Sequence, residues 1–371
     1  MISDFAVIMR AQQSRPAGGM VRYTLMSPGD SMPVTRLRDA AGAERWTDCF
    51  GGKALAMVFL LPTDLSMIER LCDVVAHGLP THAYVALIIP GNPCPLPAPL
   101  SRIALFDVDH MVSKRFGVFP KSDGDARHFR QQVMLFDPMS RLVEATRLKT
   151  SADLENAMAH LAAQPAQASF GNRPVQPPIL TLPRVFSAEL CATLIASHRR
   201  DTRTMSGVMR CVNGRTIGVH DTDFKRRRDY LITDAALIAR IQGRIRTAVL
   251  PELQKAFGIA ATRMERYLVG SYSANDVGHF APHRDNTTPG TAHRRFAISI
   301  NLNDDFDGGV VSFPEYGPEG IKAPAGGAVV FGCGLLHAVS PVTRGTRYTF
   351  LPFVYDEAGA QIRQANLARH G

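Results

Sequence analysis

The sequence lacks the features of a membrane-spanning, secreted or disulfide-stabilised protein. It contains no run of about 18 apolar residues, which excludes a membrane-spanning helix. The N-terminal residues hold an early Asp4 and no apolar core followed by a small-residue cleavage site, so we expect no signal peptide, a cytoplasmic location and no membrane contact. The six cysteines show neither a C-x-x-C pair nor the spacing of zinc ligands, which indicates free thiols.

The chain carries an excess of positive charge, but its sequence contains no nucleic-acid-binding motif. The 371 residues carry a formal net charge of +9, and 45% of them are hydrophobic and 20% charged, the proportions of a folded protein. Such a basic protein can bind nucleic acid, yet the basic residues are spread along the chain apart from the cluster at residues 225–228. We therefore do not expect nucleic acid among its partners.

Apolar strands alternate with helices in the first half of the chain. Continuous apolar runs predict buried strands at residues 54–61, 83–89 and 132–136. Thr63 or Asp64 is expected to cap a helix after the first run, and Ser151 a helix after the third. This alternation predicts a mixed α/β domain with a covered sheet.

After a predicted linker, the second half of the chain has a different pattern of predicted helices and strands. Small polar residues and prolines at 164–178 predict a linker, which divides the chain into domains 1–163 and 179–371. Helices are expected to start at Ser187 and Thr233, with Pro251 interrupting or kinking the second. After residue 262 short strands prevail, at 296–302, 309–313, 328–331 and 346–354. Closely spaced strands after helices predict a sandwich or barrel with supporting helices.

Three residues could form a metal site in this second half. In an extended chain His283 and Asp285 point the same way, so an imidazole nitrogen and a carboxylate oxygen reach one point in space. His337 ends a strand-like run 54 residues downstream and would complete a set of two histidines and one carboxylate. This set suits non-haem Fe(II) and leaves coordination positions open. A lone H-x-D pair is weak evidence, since most such pairs lie on protein surfaces.

Arg347 strengthens this interpretation. It lies ten residues beyond His337, on one face of a predicted strand together with Thr349. A guanidinium grips a carboxylate with two parallel hydrogen bonds, so an inward arginine near Fe(II) can hold a dicarboxylate whose other end chelates the metal. The alternative is an exposed strand arginine in a hairpin.

Together these residues resemble the Fe(II)/2-oxoglutarate-dependent dioxygenases, specifically the prolyl 4-hydroxylase-like branch. Further matches, within about residues 177–357, are SYSANDVGHFAPHRDN, ISINLNDDFDGGVVSFPEYG and GGAVVFGCGLLHAVSPVTRGTRYTF. The resemblance implies a double-stranded β-helix (jelly-roll) fold. It also implies that iron is held by His283, Asp285 and His337, and 2-oxoglutarate by Arg347.

The resemblance has further implications for the site. Tyr272 matches a tyrosine that often hydrogen-bonds the cosubstrate. Asn301 occupies the place of a cosubstrate-binding tyrosine of some relatives, so Asn301 or Thr349 is expected to substitute for it. The implied reaction is hydroxylation of a substrate with O2 and 2-oxoglutarate, releasing succinate and CO2, and ascorbate is a further candidate cofactor. The substrate stays open between peptidyl proline, an amino acid and a small metabolite.

Residues 26–162 resemble the thioredoxin-fold peroxiredoxins. The matches are the segments PGDSMP, LRD, FGV and VMLFD and the apolar strand that ends at Leu61-Pro62. Where that family places its nucleophilic cysteine, this chain has Glu69, while Cys72 lies one helical turn further on, among apolar residues. We therefore expect an α/β thioredoxin-like domain without peroxidase activity that serves docking or dimerisation, which leaves a homodimer open.

Two other functions compete with the dioxygenase interpretation. One is a thiol-redox or peroxidase-type protein with an appended barrel. The other is a non-catalytic binding protein with a degenerate barrel that uses the basic segment at 223–229. Within the dioxygenase interpretation, residues 225–228 together with Arg294 and Arg295 could hold an acidic or peptide substrate at the barrel mouth.

Overall fold

The computed structural model describes residues 22–121, 128–166, 169–170, 173–200, 205–212 and 215–370. The first 21 residues of the predicted N-terminal domain, and four residues of the predicted linker, lie outside the described part. Among the described helices, none is both long and apolar enough to cross a bilayer.

The described N-terminal part forms one sheet with helices on both of its faces. Its strands are β1 (Arg36–Arg38), β2 (Glu44–Trp46), β3 (Ala54–Phe59), β4 (Ala83–Pro90), β5 (Ala104–Asp107), β6 (Gln132–Phe136) and β7 (Leu142–Arg147). Its helices are α1 (Leu65–His77), α2 (Ala98–Ser101), α3 (Met111–Arg115) and α4 (Ser151–Ala163). The strands pair in the order β2-β1-β5-β4-β3-β6-β7; β3, β4 and β5 are parallel, whereas β6 and β7 run antiparallel.

The central strand β3 explains why the sheet is covered on both sides. All six of its residues are buried, which matches its continuous apolar sequence. Because successive side chains point to opposite faces, Ala56 and Val58 belong to the apolar cluster under α1 and α4. Met57 and Phe59 belong to the cluster on the other face. The sequence prediction of an α/β region with a covered sheet is confirmed at this coarse level.

The helix caps agree with the sequence patterns to within one residue. Asp64 caps α1, since its carboxylate accepts from the Met67 N–H at 3.3 Å. The predicted cap at Ser151 is wrong by one position, because Thr150 is the N-cap of α4 and forms a capping box with Asp153. Adjacent Thr and Ser have similar cap preferences, so the sequence could not distinguish them.

The described C-terminal part contains four helices, three of them in its first half. They are α5 (Ala188–Arg200), α6 (Ala235–Ala248) and α7 (Leu250–Phe257), and a fourth, α8 (Glu357–His370), ends the described chain. Ser187 caps α5 as predicted, accepting from the Leu190 N–H at 3.2 Å. Asp234, and not Thr233, caps α6. Pro251 lies in the first turn of α7, where its missing N–H costs nothing, so it starts a helix and does not kink one.

The rest of the C-terminal part is mainly β-structure. Its strands are β8 (Ser169–Phe170), β9 (Arg173–Pro174), β10 (Ile179–Leu182), β11 (Val208–Val212), β12 (Arg215–Val219), β13 (Lys225–Arg226), β14 (Arg228–Leu231), β15 (Arg263–Glu265), β16 (Leu268–Ser273), β17 (His279–His283), β18 (Phe296–Asn301), β19 (Asp307–Gly308), β20 (Val311–Ser312), β21 (Gly320–Ile321), β22 (Ala328–Gly332), β23 (His337–Val339), β24 (Val342–Arg344), β25 (Thr346–Phe350) and β26 (Phe353–Tyr355). The predicted strand at 346–354 is divided at Leu351-Pro352 into β25 and β26.

Two sheets of the C-terminal part pack against each other. The larger has the order β10-β22-β18-β25-β16-β14, with β15 and β26 attached, and the smaller has the order β13-β17-β23-β20-β21. Ala297 and Phe331 of the larger sheet share an apolar cluster with Val311 of the smaller. The other face of the larger sheet packs on helices α5, α6 and α7. This arrangement agrees with the predicted mainly-β region with supporting helices.

Candidate active site

The three predicted metal ligands come together at one end of the smaller sheet. Strands β17 and β23 pair so that His283 lies directly opposite His337, and Asp285 follows two residues after the first histidine. The Asp285 Oδ1 atom lies 3.7 Å from His283 Nε2, and its Oδ2 atom lies 3.3 Å from His337 Nε2. All potential ligand atoms lie within 4.8 Å of one another. A single ion can therefore contact all three side chains.

Backbone carbonyls fix the orientation of both imidazoles. The Nδ1 atom of His283 lies 2.8 Å from the Ala281 carbonyl oxygen, and that of His337 lies 3.0 Å from the Leu335 carbonyl oxygen. Because a carbonyl only accepts, each Nδ1–H donates and each Nε2 keeps its lone pair. This is the outer hydrogen bond that orients histidine ligands in metal sites.

Burial and the neighbouring side chains together keep His283 and Asp285 in their metal-binding protonation states. Burial, followed by the neighbouring His337, lowers the pKa of His283 to about 3. For Asp285, burial alone would raise the pKa, but the interaction with the neighbouring His337 holds the pKa well below its usual range. Neutral His283 and ionised Asp285 are the forms that bind a divalent cation. Two imidazoles and one carboxylate on one side are the donor set of non-haem Fe(II) sites with open positions.

Arg347 lies in the same pocket and has one unused donor group. It is 2% exposed; its Nε donates to Asn301 Oδ1 at 2.9 Å and its Nη2 to Ser299 Oγ at 2.8 Å. Its Nη1 is buried and has no hydrogen-bond partner among the described residues. An unpaired buried guanidinium N–H is costly, so this atom fits a ligand that supplies an acceptor. The dicarboxylate 2-oxoglutarate has the required chemistry.

The other predicted cosubstrate residues surround Arg347. Tyr272 is buried, pairs with Arg347 across β16 and β25, and lines the pocket. Asn301 accepts from Arg347, and its amide donates to the Ala323 carbonyl oxygen at 2.7 Å. The Thr349 hydroxyl donates to the Ile300 carbonyl oxygen at 2.9 Å. Asn301 and Thr349 thus support the strands under Arg347, and their contact with the cosubstrate stays a prediction.

Ser299 was missed by the sequence analysis. Its hydroxyl accepts from Arg347 and it lines the metal pocket, unlike its neighbour Ile300, which faces the helices. The signal was present in the sequence, because strict alternation along 296–302 places Ser299 on the same face as Asn301.

The basic segment at 225–228 is not an exposed loop. It forms β13 and the start of β14, and the alternation of a strand turns Lys225 and Arg227 inward, where both are 5% exposed. Arg228 points the other way and pairs with Asp276 at 3.0 Å. Arg227 lines the pocket that contains the metal ligands. Of this segment, Arg227 therefore belongs to the site.

Arg294 and Arg295 are bound to acidic side chains. Arg294 Nε donates to Glu265 at 2.7 Å, and Arg295 Nε lies 3.3 Å from Asp356. His293 is 2% exposed and hydrogen-bonds the same Glu265. With these partners, Arg294 and Arg295 stabilise the fold around the site.

Comparison with known proteins places the site in a family. Residues 267–355 match the model of the 2OG-Fe(II) oxygenase superfamily. A PKHD-type hydroxylase of Cupriavidus metallidurans is 39% identical over 79 residues, which cover 19% of this chain and 35% of that protein. A PKHD-type hydroxylase of Paracoccus denitrificans is 41% identical over 78 residues, covering 19% and 34%. The chain thus spans about a third of the length of these curated relatives.

One solved structure in this comparison is a prolyl hydroxylase from Trichoplax adhaerens in complex with a hypoxia inducible factor peptide fragment. It is 13% identical, with a TM-score of 0.42, and the match covers 51% of this chain and 87% of that one. Likeness at this score is too distant to carry a functional conclusion. The match of residues 267–355 implies Fe(II), 2-oxoglutarate and O2 as the reactants of the site. The chain therefore contains a domain of the 2OG-Fe(II) oxygenase superfamily, in which His283, Asp285 and His337 form a group that fits the iron.

Proposed function

We propose that this chain is an Fe(II)- and 2-oxoglutarate-dependent dioxygenase that hydroxylates a C–H group of its substrate. One oxygen atom of O2 enters the substrate, and the other enters succinate as 2-oxoglutarate loses CO2. The observation that carries the proposal is the combination, in one pocket, of the His283, Asp285 and His337 group with a buried Arg347 that has a free Nη1.

The residues of the pocket have separate tasks in this reaction. The two Nε2 atoms and the Asp285 carboxylate would hold the metal ion, and three protein ligands of this kind would leave coordination positions for reactants. Bound Fe(II) supplies the oxygen-activating chemistry. Arg347 is pre-oriented by Ser299 and Asn301 and would hold a carboxylate of the cosubstrate. Phe280 stacks on His283 with ring centroids 3.5 Å apart, which excludes water from the ligand.

The direct test is turnover of isotopically labelled 2-oxoglutarate in the presence of O2 and Fe(II). Candidate substrates are a proline-containing peptide, free amino acids and small metabolites, and succinate and hydroxylated product are quantified by mass spectrometry. We expect equal amounts of succinate and product for the true substrate, and none with His283→Ala. Succinate formation that is unchanged in His283→Ala would contradict the proposal.

Family likeness supports the reaction class. The relatives named PKHD-type hydroxylases support a hydroxylation reaction. Peptidyl proline, an amino acid and a small metabolite are all consistent with a two-sheet domain of this kind, because one fold serves many substrates.

We also propose that residues 22–163 are a thioredoxin-like domain without peroxidase activity, followed by a linker and the oxygenase domain from residue 179. Support comes from the parallel β3–α1–β4 unit, next to which β6 and β7 run antiparallel. Glu69 is exposed on α1, and Cys72 packs partly buried against the apolar cluster of that face. Hydroperoxide consumption should be absent in wild type and in Cys72→Ser alike. Turnover that depends on Cys72 would restore the peroxidase alternative.

A further inference from the structure

One carboxylate is surrounded by three basic side chains beside the metal pocket. Asp229 is bound by Arg227, whose Nε and Nη2 donate to its two oxygens at 2.5 and 2.8 Å. Lys225 Nζ lies 3.9 Å from the same carboxylate, and Arg266 Nη2 lies 3.7 Å from it. The single negative charge of Asp229 therefore leaves a cationic excess in a region of low solvent access.

Two of the three basic side chains have other partners. Arg227 uses both Asp229 oxygens and directs its Nη1 to the Tyr272 hydroxyl at 3.4 Å. Lys225 donates to the Gly207 carbonyl oxygen at 2.9 Å and lies 5.2 Å from the centre of the Phe280 ring. These contacts fix the positions of both side chains, which stabilise the structure around Asp229.

Arg266 differs from both. Its guanidinium donates no hydrogen bond within the described part of the chain, since Asp229 at 3.7 Å is beyond hydrogen-bond reach. The side chain is 33% exposed, yet it lines the same pocket as His283 and Arg347. Partial burial and the like charge of Arg227 lower the pKa of Arg266 to about 10, so it remains charged at neutral pH. It is a cation at the opening of the pocket with free donors.

The backbone of Arg266 is strained. Its φ angle is +63°, in the left-handed region that residues other than glycine rarely adopt. Such a conformation is energetically unfavourable, and it persists where the surroundings require the side chain in one direction. The observed direction is toward the pocket, where the centre of the Phe353 ring lies 5.5 Å from the guanidinium carbon.

If the charges of the pocket residues, Fe(II) and 2-oxoglutarate are added up, the positive charge of Arg266 is left without a negative partner. Arg227 neutralises Asp229, and Arg347 would neutralise one carboxylate of 2-oxoglutarate. Asp285 cancels half of the charge of Fe(II), and the second carboxylate of 2-oxoglutarate cancels the rest. Among the described charged residues that line the pocket, only Arg266 has no counter-charge of its own, and a substrate that closes the opening would remove it from water.

We propose that Arg266 binds a carboxylate of the oxidised substrate, so that the substrate of this site is a carboxylic acid. This inference rests on the dioxygenase function proposed above. A planar guanidinium grips a carboxylate with two parallel hydrogen bonds, and one unbalanced positive charge matches one carboxylate. The carboxylate could be the α-carboxylate of a free amino acid or a side-chain carboxylate of a peptide.

The experiment uses acetate as the probe and Mn(II) in place of Fe(II). The full-length protein is loaded with Mn(II) and 2-oxoglutarate without O2, and the relaxation of the acetate methyl protons by the paramagnetic ion reports binding near the metal. We expect saturable relaxation enhancement in wild type, at least a fivefold weaker effect in Arg266→Gln, and partial retention in Arg266→Lys. Neutral acetamide should give no saturable enhancement.

Arg263→Gln is the matched control. Arg263 lies three residues before Arg266, is 51% exposed and pairs with Glu357 outside the pocket, so its loss should leave acetate binding unchanged. N-acetylglycine and N-acetylaspartate α-amide then compare an α-carboxylate with a side-chain carboxylate, and tighter binding of either supports the proposal.

Any of three results would overturn the proposal that Arg266 binds a substrate carboxylate. They are equal acetate relaxation in wild type and Arg266→Gln, equal relaxation by acetamide, and no acetate effect in loaded wild type. Loading is measured separately, from water-proton relaxation by bound Mn(II) and from binding of labelled 2-oxoglutarate. Failure of wild type to bind Mn(II) or 2-oxoglutarate would instead contradict the dioxygenase function itself.

Discussion

Arg284, which lies between the proposed metal ligands His283 and Asp285 in the sequence, is ion-paired with Asp48 of the N-terminal part. Its Nε lies 3.1 Å from Asp48 Oδ2, and its Nη2 donates to the Asp48 carbonyl oxygen at 3.0 Å. The alternation of an extended chain turns Arg284 away from the metal while its two neighbours face it. The backbone that carries His283 and Asp285 is therefore held by a contact with the N-terminal part.

Glu315 extends this contact to the third ligand. Its Oε1 and Oε2 atoms accept from Arg284 at 2.8 and 3.1 Å, and Oε2 also accepts from the Leu336 N–H at 3.3 Å. Leu336 immediately precedes His337. One buried ion-pair cluster thus supports both chain segments that carry the metal ligands, and we expect its loss to weaken metal binding without removing a ligand.

Replacing Arg284 by methionine should lower Fe(II) affinity about 10-fold or more, the usual effect of losing a supporting contact of a metal ligand. Asp48→Asn should have a smaller effect, because Glu315 still binds Arg284. Affinity is measured anaerobically by competition with a chromophoric chelator. Glu44→Gln, which removes an exposed ion pair with Arg36, is the control. Wild-type affinity in a folded Arg284→Met protein would show that the cluster does not support the site.

Gly52 tests the same contact through the backbone. Its φ angle is +92°, and a Cβ atom there would lie 2.4 Å from the Pro314 Cβ, beside Glu315. Gly91 has a φ angle of +95°, and a Cβ atom there would meet nothing within 4 Å. Alanine at either position should cost about 1 kcal/mol of stability through backbone strain.

Only Gly52→Ala should also weaken Fe(II) binding, because only this substitution separates the N-terminal part from the residues around Glu315. The free energy of unfolding and the Fe(II) affinity of both variants are compared under the same conditions. Equal Fe(II) affinities of Gly52→Ala and Gly91→Ala would contradict a role of this contact in metal binding.

Lys225 should make stability depend on pH above neutrality. Burial, followed by the charge of Arg227, lowers the pKa of Lys225 to about 6, whereas an unfolded lysine titrates near 10.4. Between these values the unfolded chain binds the extra proton, so the free energy of unfolding rises with pH. Below about pH 6 both states are protonated, and the contribution of this group no longer changes.

The measurement is urea unfolding of wild type and Lys225→Met between pH 6 and pH 9. The stability of the variant relative to wild type should decrease as the pH rises, because wild type alone gains stability through this group. Lys255→Met removes a lysine that is 78% exposed and should leave the pH slope unchanged. Parallel pH profiles of wild type and Lys225→Met would contradict the low pKa.

Arg347→Met should weaken binding of 2-oxoglutarate about 100-fold while leaving Fe(II) affinity near that of wild type. The lost interaction is a pair of charge-assisted hydrogen bonds to a carboxylate, which are among the stronger contacts in proteins. Ser299→Ala should have an effect of several-fold, since Asn301 still orients the guanidinium. Arg344→Met, which removes an exposed arginine paired with Asp307, is the control. Unchanged cosubstrate affinity in Arg347→Met would remove its assigned role.

Features that follow from local alternation were predictable from the sequence. His283 and Asp285 face one point because they are two residues apart on an extended segment, and Ser299 could have been found in the same way. The buried strands of the first half also followed, because continuous apolar runs need a sheet that is covered on both faces.

Features that depend on distant pairing were not predictable. Arg284 and Asp48 are 236 residues apart, and no local sequence pattern indicates their contact. The inward side of the basic segment is decided by the pairing of Lys225 with Phe280 on β17. The direction of Arg266 depends on a single left-handed backbone angle, which residue preferences do not indicate for arginine.

The most direct test of the account is an anaerobic titration of metal-free protein with Fe(II) and then 2-oxoglutarate, followed by visible absorption. The account predicts a metal-to-ligand charge-transfer band in wild type, no band in His283→Ala, and a band that needs about 100-fold more cosubstrate in Arg347→Ala. Absence of the band in wild type, or a band that persists without His283, would contradict the assigned iron and 2-oxoglutarate site.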